Sequence, residues 1–176
     1  MKIEIAGRSI GTDHPPFVIA EMSGNHNQEL ARALEIVEFA AKAGAHAIKL
    51  QTYTADTMTL DKRGGSFEIN DNQSLWSGKN LHDLYKQAYT PWEWHAPIME
   101  RAQELGLICF SSPFDETAVD FLEGLNAPAY KIASFENNHL PLIAKAASTG
   151  KPLIISTDLQ YAIVSLIQDQ EIVTLE

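Results

Sequence analysis

The sequence predicts a parallel α/β architecture. Short apolar runs of strand length recur along the chain, amphipathic segments with helical spacing separate them, and glycine closes the helical segments. Ile3 to Ile10 alternates around Gly7 and reads as a small hairpin ahead of the main body. Phe17 to Ala20 is the first buried strand and ends at Glu21. From Gln28 to Ala43, residues Leu30, Leu34, Val37 and Ala41 fall on one helical face, and Gly44 supplies the stop. Ala45 to Leu50 is the second strand.

The same grammar returns after Thr90, which with Pro91 and Glu93 reads as a capping-box start for a helix whose face is Trp94, Ile98, Ala102 and Leu105. Gly106 ends it. Leu107 to Phe110 is a strand, Asp115 caps a helix through Leu122 that stops near Gly124, and Ala129 to Ala133 is a strand. A helix from about His139 to Ser148 stops at Gly150 and feeds Leu153 to Ile155. Five strands alternating with four helices require parallel strands and crossover helices, which excludes sandwiches and bundles. The stretch from Thr52 to Tyr89 departs from this rhythm. It is polar, holds Gly64, Gly65 and Gly78, and has helical character only near Leu81 to Ala88. An insertion after the second strand is where a lid over an active site is expected.

Composition narrows the function classes. With 176 residues, 45% of them hydrophobic and 20% charged, the chain is expected to be globular with one core. A net charge of −10 argues against nucleic acid or an anionic membrane as a general partner, so any anion site has to be local. The single Cys109 offers no intramolecular disulfide and fits a reducing compartment. Without a signal peptide or an apolar span of membrane length, a cytoplasmic location is expected.

Lys49 and Lys131 carry the strongest chemical signal. Each sits alone in an apolar strand-like run, where its charge is costly unless an anion meets it. Strand alternation puts Lys49 and Gln51 on the face opposite Ile48 and Leu50, and Lys131 opposite Tyr130 and Ile132. The pair predicts a bound phosphate or carboxylate; the alternative is that each lysine snorkels to the surface from a strand end. Polar residues also gather at the carboxyl ends of the strands: Glu21, Gln51, Ser111 with Ser112, Ser134 with Glu136, and Ser156 with Thr157. In parallel α/β folds that end is where ligands bind. Glu21 and Glu136 are candidate general acid or base groups, with a structural ion pair as the alternative for each. His26, His82, His95 and His139 lack metal-ligand spacing. Trp92 and Trp94 are expected to pack against the sheet or the insertion.

The stretches Ile19-Ala-Glu-Met-Ser-Gly-Asn25-His26, Ile48-Lys-Leu-Gln51-Thr52, Thr90-Pro-Trp-Glu-Trp-His95, Phe110-Ser-Ser-Pro-Phe-Asp115 and Pro128-Ala-Tyr-Lys-Ile-Ala-Ser134 closely resemble the sialic acid synthase family, and two of them most resemble its pseudaminic acid synthase branch. The resemblance runs in order from about Lys2 to Thr157. It implies a TIM-type (β/α)₈ barrel, of which this sequence holds about the first five strands behind an N-terminal hairpin. It also implies a condensation of phosphoenolpyruvate with an open-chain N-acetylated amino sugar, 2,4-diacetamido-2,4,6-trideoxyaltrose in that branch, with an N-acetylneuraminate synthase as an alternative. By resemblance, Lys49, Ser112, Lys131, Ser134 and Ser156 hold phosphoenolpyruvate. Glu21, Gln51 and Phe114 lie near the sugar, and Glu136 matches an acidic residue at the reacting centre. A divalent metal, manganese or magnesium, is implied as the group that polarises the aldehyde.

The resemblance stops at Thr157, where the family continues Ser-Thr-Gly-Met and this chain reads Ser156-Thr157-Asp158-Leu159. The sequence therefore divides into 1–157, the first part of a barrel, and a divergent tail, 158–176. The family's metal-binding histidines belong to later strands and have no counterpart before Thr157, so an alternative expectation is a noncatalytic chain that keeps part of a phosphoenolpyruvate pocket. Open strand edges predict self-association, hence a homo-oligomer. Leu159, Ile163 and Leu166 have helical spacing, and Ile172 to Leu175 has strand character.

Overall fold

A computed structural model of the chain describes residues 3–74, 76–156 and the backbone of 172–175. The hairpin is present as β1 (Ile3–Ile5) and β2 (Arg8–Ile10), paired antiparallel. The main sheet is wholly parallel and runs β3 (Ile19–Glu21), β4 (Ala47–Thr52), β5 (Ile108–Pro113), β6 (Tyr130–Ile132), β7 (Leu153–Ser156) and β8 (Ile172–Leu175), neighbours in space in the order of the sequence. The five expected strands are all there, and the stretch Ile172–Leu175 adds the sixth. The spacing of Leu159, Ile163 and Leu166 lies outside the described residues. The sheet with its helices is a half-barrel.

The crossover helices are α1 (Leu30–Lys42), α4 (His95–Glu104), α5 (Glu116–Gly124) and α6 (Leu140–Ala147). They cover the outer face of the sheet in two apolar clusters. Val37, Ile48, Leu50, Ile98 and Ala102 meet in one. Val119, Leu122, Tyr130, Ile132, Leu142 and Ile155 meet in the other. The first agrees with the predicted faces of α1 and α4. Gly44, at φ +81°, turns the chain out of α1 in the left-handed region that glycine adopts without strain, while the Ala45 amide closes back on the Ala40 carbonyl at 3.1 Å. A third cluster fills the inner face from below. There Ile5 and Ile10 of the hairpin, with Phe17, pack on Ala47, Phe110, Ala129 and Ile154. The hairpin is thus a plug for the amino-terminal end of the half-barrel.

Two local readings are corrected. Helix α1 begins at Leu30 rather than Gln28, because Asn27 and Gln28 adopt positive φ and the Gln28 amide side chain is spent on the Gln87 and Tyr89 carbonyls. Thr90 caps nothing. Its hydroxyl is bound by His26, Trp92–Trp94 winds into a 3₁₀ turn, and α4 starts only at His95. Asp115, by contrast, caps α5 as expected, accepting from the amides of Thr117 at 2.7 Å and Ala118 at 3.2 Å.

The insertion carries α2 (Ala55–Met58) and α3 (Leu81–Ala88). Asn80 caps α3, accepting from the His82 amide at 3.0 Å, and the buried His82 ring joins α3 to α2 through Asp56 at 2.8 Å. The far end of α3 is pressed onto the first loop of the half-barrel. A Cβ at Gly24 would come 2.9 Å from the Ala88 carbonyl oxygen, so only glycine admits this approach. The insertion therefore lies over the carboxyl ends of β3 and β4, as a lid would.

Candidate functional site

Strand register decides which polar residues share the inner face. Glu21 of β3 pairs with Lys49 of β4, and Lys49 with Phe110 of β5. Two residues further on, Gln51 pairs with Ser112. Ser111 pairs with Tyr130, so Ser112 and Lys131 follow on the same face, while Lys131 pairs with Ile154, two residues before Ser156. The outer-facing neighbours Ile48, Leu50, Tyr130, Ile132 and Ile155 lie in the helix-covered clusters, which confirms the alternation. Glu21, Lys49, Gln51, Ser112, Lys131 and Ser156 thus line one face of five adjacent strands, above the apolar plug.

Lys49 is only 9% exposed. It is not left unpaired: its ammonium forms an ion pair with the Glu21 carboxylate and lies 3.5 Å from the Ser112 hydroxyl. The structural alternative for Glu21 is therefore part of the answer, since this carboxylate offsets the desolvation of a buried cation. The Glu21 side chain is nonetheless 42% exposed, so the pair is open on one side to an incoming group.

Beyond β6, residues Ser134–Glu136 form a 3₁₀ turn that lifts Glu136 over the strand ends. One carboxylate oxygen of Glu136, Oε2, is buried and has no hydrogen-bond partner. Burial pushes the Glu136 carboxyl above the usual range, against the opposing pull of its own backbone amide and of the His139 and Lys131 charges. Lys131 is thus within electrostatic reach of Glu136. Phe114, just past β5, packs edge-on against Tyr53 at 5.3 Å between ring centroids.

The outer face at the same height holds a second polar group that the sequence reading missed. Thr52 Oγ1 lies 2.8 Å from His95 Nε2 and 2.7 Å from Ser111 Oγ, and His95 Nδ1 lies 3.3 Å from the Pro91 carbonyl. A carbonyl can only accept, which puts the His95 proton on Nδ1 and makes Nε2 the acceptor for Thr52. Burial lowers His95 to about 4. Nearby, the Gln28 amide donates to His26 Nδ1 at 3.1 Å, so Nε2–H faces Thr90 Oγ1 at 3.1 Å, and the ring meets Trp94 edge-on. Trp92 donates to the Tyr53 carbonyl at 3.2 Å and packs on Phe121. Both tryptophans pack as expected. The available signal was Thr52 and Ser111 themselves, polar residues at outward positions of apolar strands.

A cleft of about 490 Å³ opens on the amino-terminal side, between α4 and the end of α5, and reaches Cys109. Burial pushes the Cys109 thiol up to about 12, so no thiolate nucleophile is available there. Among the described residues, no three His, Cys, Asp or Glu side chains converge to hold a metal ion. The divalent metal implied by the resemblance therefore lacks a ligand set among them. No helix among them is long and apolar enough to cross a membrane.

Known proteins place this face in context. The chain is 49% identical over 155 residues to the pseudaminic acid synthase of Helicobacter pylori, which covers 85% of this chain and 45% of that protein. It is 36% identical to the N,N'-diacetyllegionaminic acid synthase of Legionella pneumophila, over 89% of this chain and 44% of the relative. The chain spans less than half the length of these relatives. Among solved structures, the N-acetylneuraminic acid synthetase of Leptospira borgpetersenii, crystallised with citrate, superposes with a TM-score of 0.76 at 28% identity, covering 92% of this chain and 51% of that one. A 3-deoxy-D-arabino-heptulosonate 7-phosphate synthase from Thermotoga maritima, with a TM-score of 0.55 at 15% identity, shares the barrel fold. The model of the NeuB family matches residues 36–163, a span that holds Lys49, Gln51, Ser112, Lys131, Glu136 and Ser156. With the order of its motifs, the half-barrel and this match in agreement, the chain belongs to the NeuB family.

Proposed function

We propose that this face is the phosphoenolpyruvate and sugar site of a pseudaminic acid synthase, with 2,4-diacetamido-2,4,6-trideoxyaltrose as the sugar. The observation that carries the reading is the convergence of Lys49, Ser112, Lys131 and Ser156 on one face at the carboxyl ends of adjacent strands. Phosphoenolpyruvate brings a phosphate and a carboxylate. Two ammonium groups and the hydroxyls of Ser112, Ser134 and Ser156 would neutralise and orient them. Glu21 and Gln51 would accept from and donate to sugar hydroxyls beside Lys49. In the condensation, C3 of phosphoenolpyruvate attacks the aldehyde carbon, water adds at C2, and phosphate leaves with cleavage of its bond to C2. Glu136, held toward its neutral form, would deliver a proton to the aldehyde oxygen as the new bond forms. No step is assigned to a metal, for want of a ligand set among the described residues.

The reading extends to a cytoplasmic homo-oligomer, supported by the buried unpaired thiol of Cys109 and by Phe135, which is 82% exposed beside the site. A second reading is a chain that binds phosphoenolpyruvate without turning it over, since no three His, Cys, Asp or Glu side chains converge among the described residues. Phosphate release with and without the sugar, beside a phosphoenolpyruvate titration, tests both. Sugar-dependent release supports the synthase, binding without release supports the second reading, and the absence of binding overturns both.

A further inference from the structure

The outer helices pack in pairs, α1 on α4 and α5 on α6. Where the pairs meet, aromatic rings close the upper part of the seam: Phe121 of α5 lies 4.6 Å from Trp92 and 5.3 Å from His95 between centroids. Toward the amino-terminal end the seam opens into the cleft of about 490 Å³, whose lining among the described residues includes no aromatic ring. That volume is within the range of small-molecule sites, roughly 300–1,000 Å³. The floor is apolar, with Leu107 and Cys109 6% and 7% exposed and Met99 packed against both outer clusters. The rim is polar, formed by the exposed residues Glu100, Gln103 and Asn126. Glu100 is the charged member of the lining and makes no ion pair among the described residues. Asn126 occupies an unusual place. Helices α1 and α4 end through one closure, the Ala45 amide on the Ala40 carbonyl at 3.1 Å and the Leu107 amide on the Ala102 carbonyl at 2.8 Å, with glycine in the left-handed turn before each donor. Helix α5 closes in the same way, Ala127 on Leu122 at 3.0 Å, yet at φ +57° it has asparagine, which tolerates that region and puts an amide on the rim.

We propose that this cleft is a second binding site, for a small primary ammonium compound with an apolar body. The body would fill the floor beside Met99, Leu107 and Cys109, where it replaces water on apolar surface. The ammonium has three N–H donors and no acceptor. It would meet the Glu100 carboxylate and the amide oxygens of Gln103 and Asn126, three acceptors on one rim. An anion of the same shape would face Glu100 and a chain of net charge −10 with no lining cation to receive it. The selectivity is thus opposite to that of the inner face, which presents Lys49 and Lys131. The site lies at the other end of the strands and does not rest on the synthase reading.

The test uses the whole 176-residue chain labelled with ¹³C at its methionine methyls, titrated with benzylammonium, benzyltrimethylammonium and benzoate. Met99 reports from the cleft, and Met58, at the end of α2 in the lid, is the internal control. Benzylammonium should move the Met99 methyl saturably and leave Met58 in place. Benzyltrimethylammonium, which keeps the charge and the ring but has no N–H donor, should bind at least severalfold more weakly, and benzoate should not bind. Glu100→Gln removes the rim charge at an exposed position and should weaken benzylammonium about tenfold with melting unchanged. Asn126→Gly suits the local φ, so the α5 closure survives while the amide is lost, and affinity should fall severalfold; this variant decides the matter if Glu100→Gln fails to fold. The absence of a saturable Met99 shift overturns the proposal, as do equal binding of benzoate or of benzyltrimethylammonium, and full affinity in the folded variants.

Discussion

Ser111 and Ser112 are consecutive residues of one strand with opposite fates. Ser111 turns outward into a buried chain of hydroxyls and imidazole in which each polar atom has a partner, from Ser111 through Thr52 and His95 to the Pro91 carbonyl. Ser112 turns inward, where its contact is the ammonium of Lys49 at 3.5 Å, and where Glu21 is half open and Glu136 has an oxygen without a partner. Saturated polar groups hold a scaffold, whereas under-partnered ones await a ligand. One strand thus separates architecture from chemistry by period-two alternation alone.

The comparison can be broken most forcefully at His95. His95→Ala leaves the Thr52 hydroxyl short of a partner and opens a cavity against Phe121, so urea unfolding should show a loss of about 3–4 kcal/mol. An effect below about 1 kcal/mol would mean that the outer network is not a scaffold. On the inner face, Lys49→Met should reduce phosphoenolpyruvate affinity by about a hundredfold in a titration, with little change in melting, since the Glu21 left behind is part-exposed. Equal losses of stability in the two variants would erase the distinction.

Acid sharpens it. Burial holds His95 at about 4, below the ordinary value of about 6.5. Its neutral form therefore contributes stability that is fully present above about 6.5 and is lost as the pH falls toward 4, about 3 kcal/mol in all. Glu136 behaves oppositely. Its raised pKa contributes stability below the ordinary carboxyl range that is lost as the pH rises through the raised value. Denaturant midpoints of the chain and of Glu136→Gln across pH 4 to 7 check both signs: the acid-side loss should persist in the variant. The smallest effect is the finest test. Ser111→Ala should cost about 1–2 kcal/mol of stability and leave binding alone, while Ser112→Ala should weaken phosphoenolpyruvate severalfold and leave stability alone.

Much of this was legible in the sequence because it rests on periodicity. The five strands, the four crossover helices and the shared face of Lys49 and Gln51 follow from spacing, and glycine marked the ends of α1 and α4. What escaped depends on partners distant in sequence. Thr90 looked like a cap because Glu93 follows at the right interval, yet its hydroxyl is claimed by His26, 64 positions away. Lys49 demanded an anion, but that the chain itself supplies one, Glu21, depends on the pairing of β3 with β4. Tyr85 carried no local signal, since its edge-on contact with Tyr53, at 5.7 Å between ring centroids, forms only when α3 folds back over the strand ends.

The strand order, β3 through β8 without a single exchange, has a consequence for how the molecule comes into being. Each strand pairs only with its immediate predecessor and successor, and the hairpin that seals the inner apolar cluster comes first in the chain. A nascent polypeptide emerging from the ribosome can therefore add one strand-helix unit at a time to a template already stabilised at its base, without waiting for distant segments to arrive. That order permits assembly from the amino terminus, in which Lys49 can meet Glu21 before Lys131 has been synthesised.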